Sequence, residues 1–423
     1  MTRQGDHQPE ATTEVHGLVD HLFRQTSSRL VASLMRAFGP AHLSLAEEVV
    51  QDAMVKALRC WPHDGVPDRP DAWLYRVARN LALDRLRRVA TTRDKEPILK
   101  ARIERFVAPA EGRLATELVD EQLRLAFLCC HPALPEASRV ALVLKTVGGF
   151  GVREIGRAFL TAPSTVAQRL VRARRLLRGE DIAFKVPTGD ELPGRLDTVL
   201  ESIYLIFDRG YSAYEGDQHV LEDVCRDALR LAQLLTQHPQ TARPESHALA
   251  SLLSFQASRL RARVDEDGDP ILLDDQDRSL WDHELVARGF GHLDQAAAGG
   301  KETTYHLQAA IAAQHAAPAG AEWRLVRKLY DRLYALHPTP IVALNRAVAV
   351  AHDEDAEAGL ALLADLAPLD RYHLLPATRA ELLLRTGDVA GAADSYREAL
   401  LCPCSEPERR FLSKRLAAAT KPS

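Results

Sequence analysis

The sequence predicts an all-α protein, and three observations carry that prediction. In almost every segment apolar residues recur at spacings of three and four, the period of one helix face. Period-two alternation flanked by turn residues, the mark of a half-buried strand, is scarce. Pro and Gly gather between the periodic stretches rather than within them.

At 423 residues the chain exceeds one ordinary core, and about 100 to 200 residues per domain implies three or four units. A hydrophobic fraction of 46% and a charged fraction of 26% are those of a folded globular protein. No run of about 18 uninterrupted apolar residues occurs, and 1–15 is polar, with no signal-peptide core. The expectation is a flexible N-terminus, no membrane span and a cytoplasmic location. Six cysteines, none in a C-x-x-C pair, fit reduced thiols better than a disulfide framework.

The front elements follow in order. Helical periodicity runs over His16 to Phe38, Leu45 to Trp61, Asp71 to Arg88, Thr116 to Cys130, Glu136 to Val147, Val152 to Leu160 and Ser164 to Arg178. Breaks fall at Gly39-Pro40, at Trp61 to Pro70 and at Gly148-Gly149. Residues 91–113 are charged and weakly periodic, which reads as a linker between helical domains at 16–90 and 114–180. Behind a Gly- and Pro-containing boundary near Gly179 to Pro193, a helical extension is expected over 181–320 and repeats over 321–423.

The net charge of −4 conceals an asymmetry. Residues 1–180 hold 28 Lys/Arg against 21 Asp/Glu, a balance of +7, and the remainder holds 26 against 37, a balance of −11. A basic front suggests a polyanion binder, and an acidic rear suggests a part that faces proteins or the front itself.

Val152 to Leu160, the turn Thr161-Ala-Pro163 and Ser164 to Arg178 have the layout of a helix-turn-helix. Ser164 is a candidate N-cap, and Gly179 stands where helix C-termini favour Gly. Val166, Leu170, Ala173 and Leu177 form an apolar stripe. Ser164, Thr165, Gln168, Arg169, Arg172 and Arg175 remain for DNA, since Arg can bind phosphate or pair with guanine and Gln can read adenine.

In Pro70 to Arg88, Asp71 is a candidate cap and Leu74, Val77 and Leu81 a core stripe. Trp73, Arg76, Arg79, Asn80 and Arg87 combine an aromatic ring, cations and an amide, a set suited to single-stranded bases. Taken alone, Trp73 reads as a core residue, and Asp84 reads as a local arginine partner.

In this order and separation the two segments resemble regions 2 and 4 of extracytoplasmic-function (ECF) sigma factors of the sigma-70 family. The helix Leu45 to Leu58 resembles region 2.2 of that family, and its Glu48, Gln51 and Asp52 share one face. The resemblance implies docking of these three on the β′ clamp helices of core RNA polymerase, with region 4 meeting the β flap. It implies reading and melting of a promoter −10 element by Asp71 to Arg88 and capture of a flipped base with help from the Trp61 to Pro70 loop. It further implies a 91–113 linker toward the active-site channel and reading of a −35 element by Val152 to Arg178.

At the C-terminus, Ala380, Leu383, Gly387, Asp388, Ala392, Tyr396, Ala399 and Leu400 match the small, apolar and turn positions of a tetratricopeptide repeat (TPR). A degraded copy runs from Asn345-Arg-Ala-Val-Ala-Val350 through Gly359 to Leu363. Helices are also expected through Tyr204 to Ser212 and Leu273 to Asp282. The whole resembles the ECF subgroup that bears a C-terminal repeat extension, which implies a regulatory or protein-docking role for it.

Catalytic classes find little support. Asp274, Asp275, Asp277 and Asp282 lack the spacing of a calcium loop, and His283-Glu284 lacks a following zinc-ligand His. Cys129-Cys130 and Cys402-Pro-Cys404 have poor spacing for one tetrahedral site, and no phosphate-cradling Gly-rich motif occurs. No enzyme activity, metal or cofactor is expected. A helix-turn-helix repressor or activator, with a ligand- or protein-sensing repeat domain, is the rival reading.

Overall fold

The computed structural model describes residues 26–90, 115–158, 161–179, 182, 184–211, 222–299, 301–364, 366, 369 and 372–420. Among them the regular elements are helical, and one isolated bridge joins Val264 to Pro270. The expected 16–25 start of the first helix and the 91–113 linker lie outside the described residues, as do Phe159 and Leu160. The chain forms two compact units that divide between Ile206 and Phe207, past position 180 where the charge changes sign.

In the front unit helix α1 covers 26–38, and a 3-10 turn at Pro40–His42 leads into α2, Leu43–Asp64. Helix α3 covers Pro70–Ala90. Helix α2 turns Ala46, Val49, Val50, Ala53, Met54 and Ala57 inward, at the spacing of a single helix face. The α3 core stripe is Leu74, Ala78, Ala82 and Leu86, an i,i+4 row, whereas the expected Val77 and Leu81 are half-buried. Wholly buried alanines on both helices let α2 and α3 pack closely. Asp71 lies in the first turn of α3 rather than capping it, because the helix begins at Pro70.

Helices α4 (Ala115–Cys129), α5 (Glu136–Thr146), α6 (Val152–Ala158) and α7 (Pro163–Gly179) follow. Helix α7 packs on α5, on α6 and on the Pro40–His42 turn. Helix α8, Leu192–Tyr211, begins in the front unit, where Arg195 is buried and donates to the carbonyl of Phe127. Its Leu196, Val199, Leu200 and Ile203 are buried, so the start of the extension belongs to the front unit.

The rear unit continues with α9 (Glu222–Gln237), α10 (Pro244–Ala257), α11 (His283–Ala296), α12 (Thr304–Ala316) and α13 (Trp323–Leu336). Next come α14 (Pro340–Asp353), α15 (Ala356–Ala364), α16 (Leu374–Thr386), α17 (Val389–Leu401) and α18 (Glu406–Thr420). From α12 onward each helix packs on the next. Gly359 permits one such crossing, since a Cβ there would meet Ala351 Cβ at 2.6 Å and the Ala347 carbonyl at 3.0 Å. Ala380, Ala392, Tyr396 and Ala399 are wholly buried and pack with Leu412.

The Leu273 to Asp282 segment is not one helix but two 3-10 turns, Leu273–Asp275 and Arg278–Leu280. Its aspartates serve the backbone: Asp277 accepts from the Ser279 N–H at 2.8 Å, and Asp282 caps α11 by accepting from the Leu285 N–H at 3.0 Å. Asp269, 2% exposed, receives Arg410 Nε at 2.7 Å and Lys414 Nζ at 2.7 Å, which ties α18 to the acidic loop.

Candidate nucleic-acid interface

The arrangement of α6 and α7 is set by their close approach at Gly156. A Cβ at that position would lie 2.7 Å from the Thr161 carbonyl oxygen and against Pro163, so only Gly permits this turn. Helix α7 starts at Pro163, whose missing N–H costs nothing at the first helical position, with the Val166 N–H bonded to the Ala162 carbonyl. Ser164 therefore sits within the first turn rather than at the cap.

Val166, Leu170, Ala173 and Leu177 are buried, as the periodicity predicts. Ser164, Gln168, Arg172 and Arg175 are exposed, and Thr165 and Arg169 are half-buried. The arginines of α7 also line an open groove of about 610 Å³, whose far wall is Pro135, Ala137 and Ser138 at the start of α5. Cations facing the N-terminal end of a helix make a setting that favours anions such as phosphate. Periodicity alone misses Val171, 60% exposed on α7, and exposed Leu176. Apolar side chains among arginines can contact thymine methyl groups.

On α3, Trp73 is half-buried and meets Trp61 edge-on, with centroids 5.4 Å apart and planes at 62°. Core packing thus fixes one part of the ring while another remains accessible. Arg76, Asn80 and Arg87 are exposed, and half-buried Arg79 has an Nε without a hydrogen-bond partner. Asp84 does pair with Arg87, but at 3.6 Å between two exposed side chains, a contact worth little.

Glu48, Gln51 and Asp52 are exposed on one face of α2. Arg85 of α3, missed in the sequence, bridges that face at 2.9 Å to Glu48 and 2.5 Å to Asp52. Two further residues of the front unit escaped prediction: Glu47 and Arg174 pair at 2.9 Å with both side chains largely buried. Glu47 lies one position from the acidic face and Arg174 next to the apolar stripe of α7, but neither position names its partner on the other helix.

Cys129 and Cys130 are buried; burial raises both thiols, that of Cys130 to about 12, so neither is a ready thiolate. Among the described residues no group of three or more His, Cys, Asp or Glu side chains is arranged to hold a metal ion. No helix among them is long and apolar enough to cross a membrane.

Residues 23–92 match the family Sigma-70 region 2, and residues 124–177 match Sigma-70, region 4. The two matches fall on α1 to α3 and on the helix-turn-helix domain. The chain carries regions 2 and 4 of the sigma-70 family. This sigma factor is 36% identical, over 95% of both chains, to an uncharacterized protein of Rhizobium meliloti (strain 1021). It is 28% identical to a probable ECF RNA polymerase sigma factor, SigI, of Mycobacterium tuberculosis, over 44% of this chain and 67% of that one. It is 29% identical to the ECF RNA polymerase sigma factor SigE of Mycolicibacterium smegmatis, over 38% of this chain and 60% of that one. Residues 195–297 match a family of unknown function, DUF6596. No solved structure matches. The sigma factor acts in transcription initiation and is not itself an enzyme.

Proposed function

We propose that 16–90 binds core polymerase and the −10 element, that 114–180 reads the −35 element, and that the extension regulates these steps or docks a protein through TPR-like helix pairs. The observation that supports the DNA assignment best is the α7 surface, where Arg169, Arg172 and Arg175 line one groove and Gln168 stands exposed. In this reading Ser164, Thr165, Gln168 and the three arginines meet the −35 duplex by phosphate and base-edge contacts. Trp73, Arg76, Arg79, Asn80 and Arg87 meet the −10 element, Trp73 by stacking. Glu48, Gln51 and Asp52 meet the polymerase clamp helices, and the β flap receives region 4.

Runoff transcription with core polymerase on promoter fragments tests the assignment, comparing the full chain with a truncation after Tyr211. That cut keeps α8, whose buried Arg195 donates to the Phe127 carbonyl within the front unit. The expected result is initiation that requires the protein, with altered output from the truncation. Unaltered output would remove the regulatory role of the extension, and tight DNA binding without initiation would remove the proposed use of the two DNA faces.

A further inference from the structure

Within the rear unit, helices α10 and α11 cross at a fixed point. The Ser251 hydroxyl, buried on α10, donates to the Gly289 carbonyl of α11 at 2.8 Å. Gly289 leaves no room for a side chain there, because a Cβ would lie 2.7 Å from the Phe255 ring of α10. Phe255 in turn meets Phe290 edge-on, with centroids 4.9 Å apart. His247 stands about one helical turn before Ser251, and His292 stands about one turn after Gly289. The crossing brings their two Nδ1 atoms to 3.1 Å, with both rings half-buried. Both histidines fall within the match to the family of unknown function at 195–297.

A direct hydrogen bond between the rings needs one Nδ1 to carry a proton and the other to offer its lone pair. The same separation suits a shared metal ion. Two nitrogens each about 2.0 to 2.1 Å from one ion lie roughly 2.9 Å apart at a right angle and roughly 3.3 Å apart at the tetrahedral angle. The observed 3.1 Å falls between those values. Charge fits as well, because metal ligation needs neutral imidazole. Burial pushes both rings below the ordinary histidine range, and His247 and Arg288 lower His292 further. Arg288 is itself paired with Glu284 at 2.5 Å, both side chains exposed, which offsets its repulsion of an incoming cation.

We propose that His247 and His292 form a binding site for a divalent transition-metal ion of the zinc, nickel or copper class, which imidazole nitrogen suits. On binding, the ring that carried its proton on Nδ1 carries it on Nε2 instead, so both Nδ1 lone pairs face the ion and no net proton leaves. Among the described residues no third His, Cys, Asp or Glu completes the set, so water fills the other positions. The site is therefore open, unlike the closed four-ligand shell of a structural zinc. The ion bridges α10 and α11 and stabilises the folded rear unit by mass action. This site stands on its own geometry and does not depend on the transcriptional role proposed above.

The test is calorimetric titration of nickel chloride, then zinc and copper chloride, into the full chain stripped with a chelator and desalted, at neutral pH. Thermal melts with and without each ion accompany it. Wild type is expected to show a saturable site of one ion per chain and a melting temperature that rises as the ion is added. His247→Gln and His292→Gln each remove one ligand. Each should weaken that site by at least the roughly 10- to 100-fold that loss of a mere outer-shell partner costs, and should abolish the ion-dependent rise in melting temperature. Melts in chelator show what the lost hydrogen bond alone does to the fold, and if one variant fails to fold the other carries the test. An equally tight site in both variants would place the ion on other histidines and overturn the proposal. So would the absence of saturable binding of all three ions, which would leave the pair a hydrogen bond only.

Discussion

The front unit and the rear unit join their helices in opposite ways. Where α1 and α2 meet α4, α5 and α7, Ser28, Ser33, Arg36 and Glu47 face Gln122, Glu121, Thr146 and Arg174. Where α16 meets α17, Ala380, Ala392 and Ala399 close around the wholly buried ring of Tyr396. A hydrogen bond exchanged for water costs only about 0.5 to 1.5 kcal/mol net, whereas an emptied core position leaves a cavity. The first kind of contact exchanges with water at small cost, and the second does not.

The largest effect should come from breaking the second junction. Tyr396→Ala removes a wholly buried ring from between two helices and should cost roughly 3 to 5 kcal/mol. Denaturant unfolding followed by a probe in the rear unit measures it; a loss under about 1 kcal/mol would mean that α16 and α17 re-collapse and that their packing is as yielding as the front seam.

The rear unit also holds a half-buried charge. Burial pushes Glu408 up, but contact with His373 at 3.5 Å and hydrogen bonds from the Ser405 N–H and hydroxyl outweigh it and hold the carboxyl at about 2. A folded-state pKa below the unfolded one stabilises above the unfolded value near 4.5 and is lost as pH falls through about 2. The contribution is at most roughly 3 kcal/mol, since a difference of one in pKa between the two states corresponds to about 1.4 kcal/mol. Glu408→Gln should flatten the acid limb of rear-unit stability between those pH values, and an unchanged limb would show that other carboxylates dominate it.

Within the front unit, Gly156→Ala should disturb the turn between α6 and α7, because the added Cβ meets the Thr161 carbonyl at 2.7 Å. Overpacking of this kind costs about 1 to 3 kcal/mol. Binding to a −35 duplex should fall while polymerase affinity stays, as read by fluorescence anisotropy on each partner. Equal loss of both would mean that region 2 depends on the helix-turn-helix for its fold.

Periodicity carried the α7 stripe and the helical class because a buried helix face repeats apolar residues without help from distant partners. It placed the α3 stripe on Val77 and Leu81, since it weighs large side chains, whereas the close crossing of α2 and α3 selects Ala78 and Ala82. It read Leu273 to Asp282 as helix because Asp277 and Asp282 favour helix starts, and they do cap, but the turns they open are short. Arg85, Glu47 and Arg174 were illegible for another reason: each answers a charge on a separate helix, and local spacing holds no record of that partner.

The smallest effects on stability should come from the faces themselves. Asp52→Ala removes one exposed partner of Arg85 and should change stability by less than about 1 kcal/mol. Arg169→Ala, on the groove wall, should do the same to stability yet lose about 1 to 3 kcal/mol of promoter recognition. Surface plasmon resonance against core polymerase and against promoter DNA separates the two: Asp52→Ala should weaken only the first and Arg169→Ala only the second. Because the two side chains lie on separate helices, α2 and α7, a variant that weakened both would show the two faces to be coupled.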